Sequence, residues 1–197
     1  MEKITVLFGS PHTNSYTAEL LNCFINSAEK INGNCEITTI NAYKRNIKPC
    51  IDCKKCCENG TCIYSDMDDI LKSINESDLI IIAFPIYNSS IPAPLKSIID
   101  RFQQRYNAKH FGGIELDCGK QKSAIILTTQ GANEEVDKQI ILAQIKPMLR
   151  LCGISNWQYF NLKDTDNIEF DKKSISKICE PEMKNIFENI IKQRSCK

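Results

Sequence analysis

Residues 78–102, "DLIIIAFPIYNSSIPAPLKSIIDRF", run from an unbroken apolar stretch through a proline-studded loop into a segment of helical period. The run from Leu79 to Phe84 leaves no polar face for water. That is the pattern of a central strand in a parallel sheet covered on both sides. Similar runs occur at 3–8, "KITVLF", and 123–129, "SAIILTT", while "EITTI" at 36–40 and "NWQYFNL" at 156–162 read as flanking strands. Between them the period changes to that of helices near 15–30, 66–75, 93–105, 133–151 and 172–193. Strand and helix thus alternate five times, which predicts a doubly wound, three-layer α/β fold with a five-stranded parallel sheet in the order 2-1-3-4-5. In such sheets ligands bind beyond the carboxyl ends of the strands, where the winding reverses between strands 1 and 3.

The chain has 197 residues and no Pro- or Gly-rich linker, so a single domain over 1–197 is expected. Its 25 basic and 24 acidic residues generate no field that would gather nucleic acid or anionic lipid. No apolar run has membrane-span length, and "MEKITVLFGSPH" lacks a signal layout, so a cytoplasmic protein is expected. Eleven cysteines in a reducing compartment point to metal or redox chemistry rather than a disulfide framework. Cys23, Cys35, Cys118, Cys152, Cys179 and Cys196 are scattered and read as small apolar residues with no assigned role. Five more crowd into "PCIDCKKCCENGTC" at 49–62, within the loop 49–66 that follows strand 2.

Three loops share the expected ligand edge. In "FGSPHTNSYTAEL", Gly9, Ser10, Asn14, Ser15 and Thr17 stand at a helix start, where free N–H groups and the helix dipole suit a phosphate. The same residues suit plain N-capping, and it is the place after strand 1 that favours a ligand. The spacing matches neither a dinucleotide fingerprint nor a P-loop, which leaves a mononucleotide phosphate. His12 can help neutralise such a phosphate or be an ordinary surface histidine. After strand 3, Pro85, Pro92 and Pro94 fix torsions and Tyr87 offers a flat ring, with the amides of Asn88, Ser89 and Ser90 available to a heterocycle edge. After strand 4, "TTQGA" includes Gly131, which permits close backbone approach. A long irregular stretch, 106–120, reads as a surface loop, a lid or a subunit contact.

"GSPHTNSYTAEL", "FPIYNSSIPAPLKSIIDRF" and "TTQGA", in that order, resemble the flavodoxin-like NADPH-dependent FMN reductase family from about residue 3 to 162. The resemblance implies FMN. Its phosphate would be held by the loop of Ser10, His12, Asn14, Ser15, Tyr16 and Thr17. Its ring would lie between Pro85, Ile86, Tyr87, Asn88, Ser89, Ser90 and Ile91 on one side and Thr129, Gln130 and Gly131 on the other. Family members often carry Arg where this chain has His12, and an aromatic followed by Gly where it has Asn88 and Ser89.

Within that family, "PCIDCKKCCENGTCIYSDMDDI" resembles the iron-sulfur flavoproteins, with Cys50, Cys53, Cys56 and Cys62 as a C-x2-C-x2-C-x5-C set for a 4Fe-4S cluster. Such C-x2-C turns let thiolates converge on one group, as ferredoxin-like cluster loops do. Zinc, or no metal, are the alternatives, and Cys57 is the spare that can replace Cys56. The implied activity is an FMN-dependent oxidoreductase passing electrons between cluster and FMN, or a cluster-free NAD(P)H-dependent reductase of FMN or quinones. The donor is NAD(P)H or a ferredoxin-like protein, the acceptor a small molecule, and the assembly a homodimer or homotetramer. No side chain is expected to act as general acid or base, because the cofactor carries the chemistry.

Overall fold

A computed structural model describes residues 2–132 and 136–195 of the chain. Five strands, β1 (Glu2–Phe8), β2 (Cys35–Asn41), β3 (Leu79–Pro85), β4 (Ser123–Thr129) and β5 (Asn156–Leu162), form one sheet in the order β2-β1-β3-β4-β5. Every pair is parallel, with Ile4 beside Leu79, Leu79 beside Ser123 and Ser123 beside Asn156. The expected order and all five expected strands are therefore present.

Alternation along the strands sorts side chains to two cores. Ile4, Val6, Phe8, Leu79, Ile81 and Ala83 join the cluster that receives α1 (Tyr16–Asn32), with Leu20 and Phe24. Leu7, Ile80, Ile82 and Phe84 face the cluster of the opposite side, into which a short helix at Asp68–Glu76 sends Ile70 and Ile74.

In chain order the helices are α1, α2 (Cys56–Asn59), α3 (Asp68–Glu76), α4 (Ala93–Asp100), α5 (Gln103–His110), α6 (Val136–Leu151) and α7 (Lys172–Ser195). With α1, α7 covers one face, through Ile175, Met183, Phe187 and Ile190. On the other face α4 and α6 complete the layer through Leu95, Ile98, Ile141 and Ile145.

Two differences from the sequence reading bear on function. The helix expected over 93–105 is broken at Arg101–Phe102, so α4 and α5 are separate, and helix continues to His110 where a loop was expected from Tyr106. The break accompanies an arginine turned inward: the Arg101 side chain is 1% exposed. The cysteine segment also contains the single turn α2, closed by Gly60 in a left-handed conformation. The expected start of the helix at 133 and Cys196 lie outside the described residues. Among the described residues no helix is long and apolar enough to cross a membrane.

Candidate functional site

The loops at the carboxyl edge are tied to the sheet by backbone bonds. Gly9 N–H donates to Ala83 O at 2.8 Å, Ile86 N–H to Thr129 O at 2.8 Å, and Gln130 N–H to Leu162 O at 2.9 Å. Each loop thereby extends the ladder by one step. At Gly9 a Cβ would lie 2.6 Å from Leu95 Cδ2, so the turn out of β1 has no room for a side chain. Ser15 is the N-cap of α1, its Oγ accepting from Ala18 N–H at 3.3 Å, while Ser10 Oγ accepts from His12 N–H at 3.3 Å. The earliest amides of α1 have no carbonyl partner within their own helix. Thr17, buried, meets Thr129 Oγ1 at 2.7 Å and joins the first loop to the fourth strand's end. The Tyr16 hydroxyl donates to Ile168 O, and its ring packs edge-on against Phe170 at 5.0 Å.

After β3, Tyr87 and Ser90 exchange backbone hydrogen bonds of 3.1 and 2.9 Å, which makes residues 87–90 a two-residue hairpin. Its tip residues, Asn88 and Ser89, have φ of 49° and 54°, the left-handed pair of a type I′ turn. Ser90 N–H is therefore committed to the turn. The Tyr87 ring is half-exposed beside Tyr43, whose hydroxyl is pushed above its ordinary range by burial and by Tyr87.

These loops border a cleft of about 360 Å³ lined by Ser10, His12, Ser15, Tyr16, Thr17, Pro85, Ile86, Tyr87, Thr129 and Gly131. Asn14, Asn88, Ser89, Ser90, Ile91 and Gln130 are not in this lining set. Ile91 is in the core, and Gln130 Oε1 accepts from Asn161 Nδ2 at 2.7 Å, so both support the cleft from behind. Two lining residues were missed by sequence reasoning, Thr165 and Asp166, from the loop after β5. Their position at the same sheet edge was the available signal; no motif marks them. Asp166 lies against Gly131, where a Cβ would be 2.5 Å from its carboxylate.

The cysteine segment makes a second, tight cavity of about 20 Å³, lined by Cys50, Cys53, Cys56 and Cys62 together with Ile51, Ile63, Tyr64, Arg101, Gln104 and Asn107. Cys57 is absent from that wall. No three His, Cys, Asp or Glu side chains among the described residues are grouped closely enough to hold one metal ion, although four cysteines share this cavity. Asp52 and Lys54 adopt positive φ, 53° and 62°, and Lys55 follows in the right-handed region. Such alternation turns consecutive N–H groups toward one concave side, a geometry found at phosphate and iron-sulfur sites.

Arg101 closes the base of the loop. Its guanidinium donates to Lys48 O at 2.8 Å, Asp66 Oδ1 at 2.7 Å and Tyr64 O at 3.2 Å, and Asp66 Oδ2 accepts from Lys48 N–H at 2.8 Å. Burial alone would raise the Asp66 carboxyl, but the Lys48 N–H and Arg101 outweigh it and hold it below the usual range. Gln104 Nε2 donates to Gly60 O at 2.9 Å. Burial pushes the Cys56 thiol up, against a hydrogen bond from the Asn107 side chain.

Residues 2–181 match the family described as flavodoxin-like fold. The chain belongs to that family. Among curated proteins, this flavodoxin-like chain is 36% identical over 101 residues to an iron-sulfur flavoprotein of Methanocaldococcus jannaschii, covering 50% of this chain and 51% of that one. It is 28% identical over 145 residues to an FMN-dependent NADH:quinone oxidoreductase of Metamycoplasma arthritidis, covering 67% of this chain and 70% of the other. The chain spans about half the length of the iron-sulfur flavoproteins it matches. Among solved structures, an FMN-dependent NADH-azoreductase from Bacillus anthracis in complex with FMN superimposes with a TM-score of 0.67, at 18% identity and over 96% of this chain and 99% of that one. At that identity the likeness is one of fold.

Proposed function

We propose that this flavodoxin-like protein is an FMN-dependent oxidoreductase that holds FMN in the cleft and an iron-sulfur cluster of the 4Fe-4S type in the cysteine cavity. The observation that carries the reading is the sharing of one apolar cavity by Cys50, Cys53, Cys56 and Cys62, walled by Arg101 and by Gln104 and Asn107 of α5. The C-x2-C-x2-C-x5-C spacing of these cysteines suits a cluster better than zinc, whose structural sites more often pair two C-x2-C turns across a longer spacer. The iron-sulfur flavoproteins among its relatives support the same reading.

The cleft fits FMN by size and by donor chemistry. Its volume of about 360 Å³ is in the range of small-molecule sites. Ser10, Ser15 and the first amides of α1 would hold the phosphate, with His12 beside them. Tyr87 would cover one face of the ring, and Asn88 and Ser89 N–H groups would meet its polar edge. When bound, FMN supplies one- and two-electron chemistry between a donor and an acceptor. The chain orients the ring and limits water at it, and no side chain has to move a proton. The donor is a nicotinamide or a ferredoxin-like protein, and the acceptor a small molecule such as a quinone. Free thiols at all ten described cysteines suit a reducing, cytoplasmic setting. The exposed segment around Phe111 is the candidate contact of a homodimer or homotetramer.

A second reading, an NAD(P)H-dependent reductase of FMN or quinones without a cluster, is favoured by the longer match to the quinone oxidoreductase. Rapid bleaching of bound flavin by NADPH, without iron in the protein, would select it. The FMN site itself is tested by titrating FMN into the apoprotein and its Ser15→Leu variant. We expect affinity to fall roughly tenfold or more, the scale of a lost cap and a lost ligand contact; unchanged affinity would refute the site.

A further inference from the structure

The wall that the loop after β5 gives to the cleft is a turn. Asn167 N–H donates to Asp164 O at 3.0 Å and Asn167 Nδ2 to Asp164 Oδ1 at 2.7 Å, so Thr165 and Asp166 form its tip. Thr165 N–H donates to Gln130 O at 3.0 Å and fastens that tip to the loop after β4. Asp166 thereby rests on Gly131. A Cβ at 131 would lie 2.5 and 2.7 Å from the two carboxylate oxygens, so it is the missing side chain of Gly131 that makes room for the charge. Asp166 is exposed, and among the described residues no hydrogen-bond donor and no cation pairs with its carboxylate. Of the residues that line the cleft it is the one carboxylate, and none is Lys or Arg. His12, Tyr16 and Tyr87 are the other titratable groups of that lining. An unpaired negative charge, held in place by the turn, therefore stands beside the "TTQGA" loop at 128–132.

We infer that Asp166 tunes the cofactor of the cleft: its carboxylate holds bound FMN at a lower reduction potential than the same cleft would without the charge, and so favours passage of electrons from FMN to the acceptor. The inference rests on the FMN reading of the cleft. Reduction of the flavin ring takes up two electrons and, in the anionic reduced form, one proton, so the bound cofactor gains negative charge. A neighbouring carboxylate makes that gain more costly, because like charges repel more strongly in a cleft than in bulk water. Charge placed near the ring is among the means by which a protein sets flavin electronics. Water reaches Asp166 and weakens the repulsion without abolishing it. Gly131 then serves the cleft by what it admits from the protein, the carboxylate of Asp166, as well as by what it admits from the ligand.

The test uses full-length wild type, Asp166→Asn and Asp166→Glu, each loaded with FMN and titrated with dithionite against reference dyes without oxygen. Affinity for oxidised FMN is measured on the same three proteins. Asp166→Asn keeps the shape of the side chain, and the turn should survive it, since the bonds within 164–167 do not use the Asp166 carboxylate. The midpoint potential should shift positive, with reduced FMN gaining roughly fivefold in affinity over oxidised FMN, the scale of one unit charge a few ångströms away in a wet site. Asp166→Glu, which keeps the charge, should stay near wild type. The gap between wild type and Asp166→Asn should narrow in concentrated salt, which screens a charge. Equal potentials in wild type and Asp166→Asn would overturn the inference. So would Asp166→Glu behaving like Asp166→Asn, or a gap indifferent to salt, because either assigns the effect to shape. A fall in affinity for oxidised FMN at unchanged potential would overturn it too, making Asp166 an acceptor for the cofactor's hydroxyls instead. Wild type that takes up no FMN would refute the cleft reading and the inference together, a failure seen before any potential is measured.

Discussion

The cleft and the cysteine cavity are held in shape by different means. Around the cleft, each loop continues a strand whose backbone ladder already exists, and Gly9, Ile86 and Gln130 simply donate the next rung. The cysteine segment has left the sheet altogether after β2, and its form depends on a few side chains from the α4–α5 break and α5, chiefly Arg101 and Gln104. The first site is a consequence of the fold, and the second an attachment to it. Substitutions should therefore damage one without the other.

The largest effect is expected from Arg101→Met. It leaves the Asp66 carboxylate and the carbonyls of Lys48 and Tyr64 without their shared donor. Breaking such a buried pair costs about 3 kcal/mol. Chemical denaturation should report that loss, and limited proteolysis should cut within residues 49–63, while FMN affinity stays within about twofold, well inside the tenfold that 1.4 kcal/mol represents. Loss of FMN at the same time would show that the two regions are one unit.

Gly9→Ala sharpens the contrast from the other side. Its Cβ would press on Leu95 Cδ2 at 2.6 Å and on Phe84 Cβ at 3.0 Å, an overpacking of about 2 kcal/mol. FMN binding should weaken with it, and the proteolytic resistance of the cysteine segment should not change. A smaller step, Thr17→Val, removes the 2.7 Å hydroxyl pair with Thr129 and should cost about 1 kcal/mol, read as a shift in the FMN-free unfolding midpoint.

The least effect concerns acid. Because the folded Asp66 carboxyl lies below its usual range, its contribution is complete above the ordinary carboxylate value of about 4. It is lost as pH falls through that value and then through the lower folded one. The side chain is partly exposed, so the effect should be smaller than that of Arg101→Met. Proteolysis at descending pH should open residues 49–63 before the helices on the sheet, and simultaneous opening would contradict the separation.

The same division governed what could be read in the residues alone. The strands and their order were legible because buried parallel strands are written as runs such as "LIIIAF", and the cleft followed from where the winding reverses. The motif residues were found, but their division into wall and support was not. Ile91 and Gln130 turn inward, and a sequence motif does not say which side of a loop a side chain takes. Thr165 and Asp166 escaped because the β5 loop has no pattern of its own. The cysteines were conspicuous, yet their supports were not, since Arg101 and Gln104 sit in what reads as one ordinary amphipathic helix over 93–105. Only the break at Arg101–Phe102 turns that helix into a wall for a loop roughly fifty residues earlier in the chain.

The most direct test of two cofactors in two separately built sites is the visible absorption spectrum of full-length protein purified without oxygen, with FMN, iron, sulfide and zinc measured on the same sample. Flavin bands over a broad visible shoulder, with iron and sulfide accompanying FMN and little zinc, is the predicted result. Flavin bands with neither iron nor sulfide in oxygen-free protein would contradict it and leave the cysteine cavity without the role proposed for it.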